Sequence, residues 1–127
     1  MKKLIFALPF LLFGMTGCSN TTVGKVTKLP FKEVTSITIQ EAALGGPNTY
    51  VVSDEYVTEI ALKISNFSIE VLSSPCKCFH PFTFKLTISE TNYLFNAYSF
   101  TGGGIEIYCQ CDTAAYEDLV NYAIERS

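Results

Sequence analysis

The hydrophobic pattern of the chain changes period several times. Apolar and polar residues alternate in Phe82–Ser89, which is typical of a strand with one buried face. Val34–Gln40 is rich in β-branched residues and predicts a first strand, and Thr49–Ser53 predicts the strand that returns from it. Three more segments predict strands, and they are Phe67–Val71, Tyr93–Phe100 and Ile105–Cys111.

Two other segments show helical spacing. Apolar residues one, three and four positions apart predict a helix whose buried stripe is Tyr56, Val57, Ile60, Ala61 and Ile64. Similar spacing near the C-terminus predicts a second helix that buries Tyr116, Leu119, Val120 and Ala123. The predicted order is therefore ββ-α-ββββ-α, an α+β fold in which a small antiparallel sheet carries two helices on one face.

The N-terminal residues have the pattern of a secretory signal. Lys2 and Lys3 precede an apolar stretch, Leu4–Phe13, that is too short to span a bilayer comfortably as a mature helix. Shortly after it ends, Met15 to Cys18 read Met-Thr-Gly-Cys. These four residues resemble the lipobox of bacterial lipoproteins, with Met15 in place of the usual leucine. The alternative is an ordinary signal peptide with an accidental cysteine.

The resemblance implies a lipid anchor. Residues 1–17 would be removed as the signal peptide, and Cys18 would carry a diacylglycerol on its sulfur and a fatty acyl chain such as palmitate on its amino group. Several acyl chains on one residue give stable membrane anchoring. Ser19 is not the aspartate that retains such proteins in the inner membrane, so the resemblance favours the outer membrane, with the domain facing the periplasm.

The domain boundaries follow from the loss of periodicity after the signal. Residues 18–33 have few periodic apolar positions and contain Gly24 and Pro30, so we expect an acylated anchor followed by a tether. Residues 34–127 contain all the predicted strands and helices. They are long enough for a single α+β domain with one modest core.

The charge of the chain argues against one class of partner. Removal of Lys2 and Lys3 with the signal lowers the formal net charge from −3 to −5. An acidic domain is a poor ligand for nucleic acid, because binding phosphates needs clustered lysine and arginine. The basic residues concentrate only beside the anchor, at Lys25, Lys28 and Lys32. We interpret them as the solvated surface of the tether, in preference to a lipid-headgroup contact.

Four cysteines remain for the domain, and they form two Cys-x-Cys pairs: Cys76, Cys78, Cys109 and Cys111. An even number in an exported domain predicts disulfides. A bond within one pair would close a small, strained ring, so we expect bonds between the segments. Antiparallel segments would give Cys76–Cys111 with Cys78–Cys109, and parallel segments Cys76–Cys109 with Cys78–Cys111. Closing so long a loop would stabilise the domain by roughly 3 kcal/mol.

A metal site is the alternative use of these residues. Four thiolates and His80 could bind Cu(I) or Zn(II), since soft ligands select those ions. A single residue between cysteines is fewer than structural zinc sites usually have, and an oxidising compartment disfavours four free thiolates. A redox role is disfavoured because that chemistry typically uses Cys-x-x-Cys. We therefore expect no cofactor, and we expect His80 to be an ordinary loop side chain.

The predicted strand Tyr93–Phe100 is aromatic on both faces. Tyr93 and Phe95 lie on one face, and Tyr98 and Phe100, with Leu94, lie on the other. Such a strand is either central and covered on both sides, or it carries an exposed partner-binding patch. We favour burial but keep these four aromatic residues as the candidate patch.

No motif predicts catalysis. The three glycines of Thr101–Ile105 join two strands without a following Lys-Ser/Thr, so they predict a hairpin loop instead of a phosphate site. His80 would have to serve any serine or cysteine nucleophile, since it is the single histidine. We expect a non-enzymatic envelope lipoprotein whose disulfide-stabilised domain binds another envelope protein, as immunity, pilot or assembly lipoproteins do. The alternative function is Cu(I) or zinc binding.

Overall fold

The computed structural model describes residues 20–42 and 48–127. Cys18, the predicted signal and most of the predicted turn Leu44–Asn48 lie outside these residues. The strands are β1 (Asn20–Thr22), β2 (Ser36–Glu41), β3 (Asn48–Val51), β4 (Ser68–Leu72), β5 (Phe82–Ile88), β6 (Thr91–Asn96), β7 (Ser99–Gly102) and β8 (Ile105–Gln110). The helices are α1 (Val23–Thr27), α2 (Asp54–Ser65) and α3 (Thr113–Ile124), and Phe31–Glu33 forms a single 3-10 turn.

The strands form one antiparallel sheet with the order β1-β4-β8-β7-β6-β5-β2-β3. The α+β class and the antiparallel sheet are confirmed. The predicted element order is wrong in two places, because the described chain begins with a strand and a short helix and because one predicted strand is two. The part of the chain that the structure describes therefore has eight strands and three helices, where six strands and two helices were predicted.

The extra strand arises from a tight turn inside the predicted strand Tyr93–Phe100. Asn96 pairs with Ser99, so Ala97 and Tyr98 form a two-residue hairpin turn between β6 and β7. No glycine, proline or Asn-Gly pair marks this turn in the sequence, and the alternation of side chains therefore predicted one continuous strand. The turn places Phe100 on the same face as Phe95, whereas one continuous strand would place these two residues on opposite faces.

One face of the sheet is apolar and forms the core. The cross-strand register places a row of large side chains on this face: Ile39, Phe84, Phe95, Phe100 and Ile107. Tyr116 of α3 packs its ring edge-on against Phe84 and Phe95, with centroids 5.9 and 5.5 Å apart. The helices therefore cover one face, as predicted, and the opposite face, the open face, carries mostly polar side chains.

Both predicted helices are confirmed, and so are their buried stripes except for Tyr56, which is half-buried. In α2 the buried residues are Val57, Ile60, Ala61 and Ile64, and in α3 they are Tyr116, Leu119, Val120 and Ala123. The Asp112 side chain caps α3 by accepting hydrogen bonds from the backbone N–H groups of Ala114 and Ala115, at 2.9 and 3.2 Å.

Residues 20–33 are part of the domain and not the tether that the sequence predicted. β1 pairs with β4, and the Val23 N–H donates to the Phe67 carbonyl at 3.1 Å. Val23 is fully buried and Phe31 is 4% exposed. The segment passes from strand to a five-residue helix to a 3-10 turn within fourteen residues. No single hydrophobic period has room to develop there, which is why the sequence pattern missed it.

No helix among the described residues is both long and apolar enough to cross a membrane.

Candidate partner-binding site

The first Cys-x-Cys pair lies in a loop that crosses several strands of the sheet. Residues 73–81, which we call the Cys loop, connect β4 to β5. Three strands, β8, β7 and β6, lie between those two in the sheet. At about 4.8 Å per strand spacing the loop must span roughly 19 Å. It therefore passes beside side chains from several strands.

Hydrogen bonds fix the end of the Cys loop to the sheet. The Asn96 side chain lies at the end of β6, and its Nδ2 group donates to the carbonyls of His80 and Phe82, both at 3.0 Å. The Tyr116 hydroxyl also donates to the Phe82 carbonyl, at 2.8 Å. Two elements distant in sequence thus hold the backbone where the loop enters β5, so this end of the loop has a defined position.

His80 is buried and packs inward from the loop. Its ring is 6% exposed and lies edge-on to Tyr116, with 4.7 Å between centroids. Nδ1 accepts a hydrogen bond from the Phe82 N–H at 3.2 Å, so the neutral ring carries its proton on Nε2. Nε2 lies 3.5 Å from the exposed Glu117 carboxylate but makes no hydrogen bond within the described residues. His80 is thus a packed core-edge residue that orients the start of β5.

The structure pairs Cys76 with Cys78, across a Cα separation of 5.1 Å. The predicted bonds between the two segments are therefore wrong in this structure. The prediction assumed that the two Cys-x-Cys segments lie side by side. β4 does lie next to β8, but the Cys loop begins after β4 ends and crosses the sheet towards β5. The short ring that the sequence argument disfavoured is the one formed.

Cys109 lies on the core face of β8 and Cys111 directly follows that strand; both are free thiols, where the sequence predicted disulfides. Both sulfurs lie near the Ala97 carbonyl, at 3.9 and 3.6 Å. Burial raises the pKa of Cys109 to about 12, and burial followed by the negative charge of Asp112 raises the pKa of Cys111 to about 11. Both side chains therefore stay protonated at neutral pH and are poor nucleophiles and poor metal ligands as they stand.

The residues of the alternative metal site are not assembled. Cys76 and Cys78 line a pocket on the open face, whereas Cys111 lines a groove beside the helices. Within residues 20–42 and 48–127, no group of three or more His, Cys, Asp or Glu side chains is placed to hold a metal ion.

The Cys loop and the open face of the sheet enclose a pocket of about 390 Å³, and we call its lining the Cys-loop surface. Phe79 from the loop is 75% exposed and Leu94 from β6 is 40% exposed. Tyr98 and Tyr108 complete the aromatic part of the lining. The remaining lining residues are small or uncharged, and no Asp, Glu, Lys or Arg is among them. The result is a partly exposed aromatic surface without Asp, Glu, Lys or Arg.

The candidate aromatic patch from the sequence is mostly core. Phe95 and Phe100 are fully buried, and Tyr93 is half-buried on the same face. The two-residue turn pairs Phe100 with Phe95, so both side chains lie on one face, whereas the sequence pattern predicted different faces. Of the four predicted residues, Tyr98 alone lines the Cys-loop surface. Phe79 and Tyr108 are site residues that the sequence pattern does not predict. The one signal for Phe79 is a large apolar side chain in a proline-bracketed loop that has no core face to join.

A second, larger groove lies between α2, α3 and the β1–β4–β8 end of the sheet. Its volume is about 840 Å³, and its lining includes Asn20, Phe67 and Cys111. Four charged residues also line it, and they are Glu59, Lys63, Glu70 and Asp112. Several of these charges are already engaged within the domain: Glu59 accepts from the Tyr122 hydroxyl, and Glu70 accepts from the Gln110 amide at 2.7 Å.

No protein-family model, no curated protein and no solved structure matches this chain.

Proposed function

We propose that this protein is a non-enzymatic, lipid-anchored envelope protein that binds another envelope protein through the Cys-loop surface. The observation that carries this proposal is the exposure of Phe79 beside Leu94 and two tyrosines. Exposed aromatic side chains cost free energy in water, and binding a partner would cover them.

The composition of the surface favours protein recognition over recognition of a charged small molecule. The cores of protein interfaces are enriched in tyrosine and phenylalanine and depleted of charged residues. The Cys-loop surface follows that pattern, whereas the larger groove has four charged residues in its lining. This difference is the reason to prefer the smaller pocket as the binding site.

The fixed geometry of the surface also supports the proposal. The Cys76–Cys78 bond shortens the free part of the loop, and the Asn96 hydrogen bonds fix its far end. A surface ordered before binding loses less conformational entropy when the partner docks. The lipid on Cys18, implied by the lipobox, would hold this surface at the membrane where envelope partners are concentrated.

The experiment is site-specific photocrosslinking in the envelope of living cells. Phe79 is replaced by a photoreactive phenylalanine analogue in the full-length protein, and the same analogue is placed at Glu55 on the exposed face of α2 as a matched control. We expect one discrete adduct from position 79, the same adduct when the analogue replaces Leu94 instead, and none from position 55. Identical adduct patterns from positions 79 and 55 would contradict the proposal.

The crosslinked protein is then identified by mass spectrometry, purified and titrated against the lipoprotein. We expect Phe79→Asp to weaken binding at least tenfold, because aromatic residues at the centre of an interface commonly contribute about 2 kcal/mol or more. Glu55→Ala should bind like the unchanged protein. Equal affinities for Phe79→Asp and Glu55→Ala would show that the Cys-loop surface is not the site.

A further inference from the structure

The proposed lipid anchor is very close to the folded domain. Only Ser19 separates Cys18 from Asn20, the first residue of β1. Two residues of extended chain span at most about 7 Å. The inference below rests on the lipid attachment proposed above, and given that attachment the β1 edge of the sheet lies at the level of the lipid headgroups.

Residues 20–33 are rigidly joined to the domain and cannot act as a spacer. β1 is paired with β4, and α1 packs so closely on α2 that a Cβ at Gly24 would lie 3.0 Å from the Ser65 carbonyl oxygen. The 3-10 turn buries Phe31 against the same end of α2. The end of the domain that carries the anchor is therefore fixed relative to the membrane.

Three exposed lysines lie at this end. Lys25 follows β1 by three residues, and Lys28 and Lys32 follow on the same segment; all three side chains are exposed. None of them forms an ion pair within the described residues. Leu62, near the end of α2, lines both the groove that includes Asn20 and the pocket that includes Lys32. The lysines and the proposed anchor therefore lie at the same end of the domain.

The nearby carboxylates only partly offset these charges. Glu59, Glu70 and Asp112 keep their negative charges, but they lie on the lining of the larger groove and outside residues 20–33. Glu33 is exposed beside Lys32 and is the one acidic residue of residues 20–35. The three lysines therefore give this segment a positive charge in a domain whose net charge is negative.

We propose that the surface formed by β1, α1 and the 3-10 turn rests directly on anionic lipid headgroups, with Lys25, Lys28 and Lys32 contacting them. Lysines beside a membrane surface are attracted by its negative potential within about a Debye length. The contact fixes which side of the domain faces the membrane. The sequence predicts that these lysines belong to a solvated tether, but the packing of residues 20–33 on β4 and α2 leaves no tether.

The test measures lysine accessibility in the lipidated protein. The full protein is reconstituted in vesicles of phosphatidylethanolamine and phosphatidylglycerol and treated with a membrane-impermeant amine acetylating reagent. Peptide mass spectrometry then compares labelling of the three lysines with that of Lys77, an exposed lysine of the Cys loop. We expect Lys25, Lys28 and Lys32 to label at least threefold more slowly than Lys77, and to lose most of that protection when the lipid is phosphatidylcholine alone.

Two results overturn the inference while leaving the anchor intact. Equal labelling of all four lysines on a protein whose intact mass includes the lipid would show that the domain stands off the membrane. Protection that is the same in phosphatidylcholine would show that the lysines do not contact anionic headgroups. An intact mass without lipid would instead overturn the anchor and with it the proposed function.

Discussion

Tyr116 of α3 donates a hydrogen bond to the Phe82 carbonyl, 2.8 Å away, at the point where the Cys loop enters β5. Because the Tyr116 ring also lies against His80, Phe84 and Phe95, this residue joins the last helix, the loop and the sheet. Burial raises the pKa of the hydroxyl, which therefore stays protonated and can donate at neutral pH. The position of the Cys-loop surface depends on this contact.

Tyr116→Phe should lower the free energy of unfolding by about 1–2 kcal/mol, because it removes a buried hydrogen-bond donor while keeping the packed ring. Urea unfolding measures the change. Tyr108→Phe is the matched control, since its hydroxyl donates to Glu106 at the surface, and we expect no measurable change in stability from it. Equal effects from the two substitutions would contradict the role assigned to Tyr116.

Gly24→Ala tests whether residues 20–33 belong to the domain. An added Cβ would clash with Ser65 Oγ and lie 3.0 Å from the Ser65 carbonyl oxygen, so α1 would have to move away from α2. We expect a loss of about 1–3 kcal/mol in the free energy of unfolding, as for other overpacked contacts. In a flexible tether the same substitution would be silent. Lys25→Ala, on the exposed side of α1, is the control and should leave stability unchanged.

The buried thiols predict a loss of stability at alkaline pH. Burial raises the pKa of Cys109 from 9.0 to about 12, so the folded state holds this proton more tightly than the unfolded state. The stabilisation is complete below pH 9 and is lost as pH rises towards 12, at no more than about 1.4 kcal/mol per pH unit. Cys111, with its pKa raised to about 11, adds to the loss over a narrower range.

Denaturant unfolding at pH 8 and pH 10.5 measures this loss. The double variant Cys109→Ala/Cys111→Ala removes both thiols and keeps every tyrosine, so we expect its stability to fall less between the two pH values than that of the unchanged protein. A fall of the same size in both proteins would assign the alkaline sensitivity to other groups.

The Cys76–Cys78 bond should matter more to the surface than to global stability. The ring that it closes contains three residues, and the stabilisation expected from so short a loop is about 1.6 kcal/mol, roughly half that expected for the long loop between the two Cys-x-Cys segments. For Cys76→Ser/Cys78→Ser we therefore expect a loss of no more than about 1.6 kcal/mol in the free energy of unfolding, but at least a fivefold loss in the yield of the adduct from position 79. An unchanged yield would show that the bond does not order Phe79.

The sequence was informative where a single period runs for two turns of helix or six residues of strand. The stripe from Val57 to Ile64 and the alternation from Phe82 to Ile88 are long enough for their period to show, and both predictions are confirmed. The one-sided sheet follows from them, because an alternating strand and two amphipathic helices bury one common face.

Short or unmarked changes of direction account for the errors. Val23 and Phe31 belong to elements of three to five residues, and Ala97–Tyr98 turns the chain without a residue that signals a turn. The second error displaced the candidate site, because a two-residue turn moved Phe100 into the core. The Cys-loop surface itself depends on which strands are neighbours in the sheet, and no local pattern around Phe79 contains that information.

The measurement that tests the central claim most directly is the intact mass of the protein extracted from membranes with detergent, with thiol alkylation before and after reduction. A lipid anchor on Cys18 and a closed Cys loop predict a chain that begins at residue 18 and carries the mass of a diacylglycerol and an acyl chain. Its mass should be lower than that of the fully reduced chain by two hydrogen atoms. After denaturation without reduction, two thiols, Cys109 and Cys111, should be alkylated, and after reduction four. A chain that lacks the lipid, or one that is four protons light with no free thiol, would contradict the account.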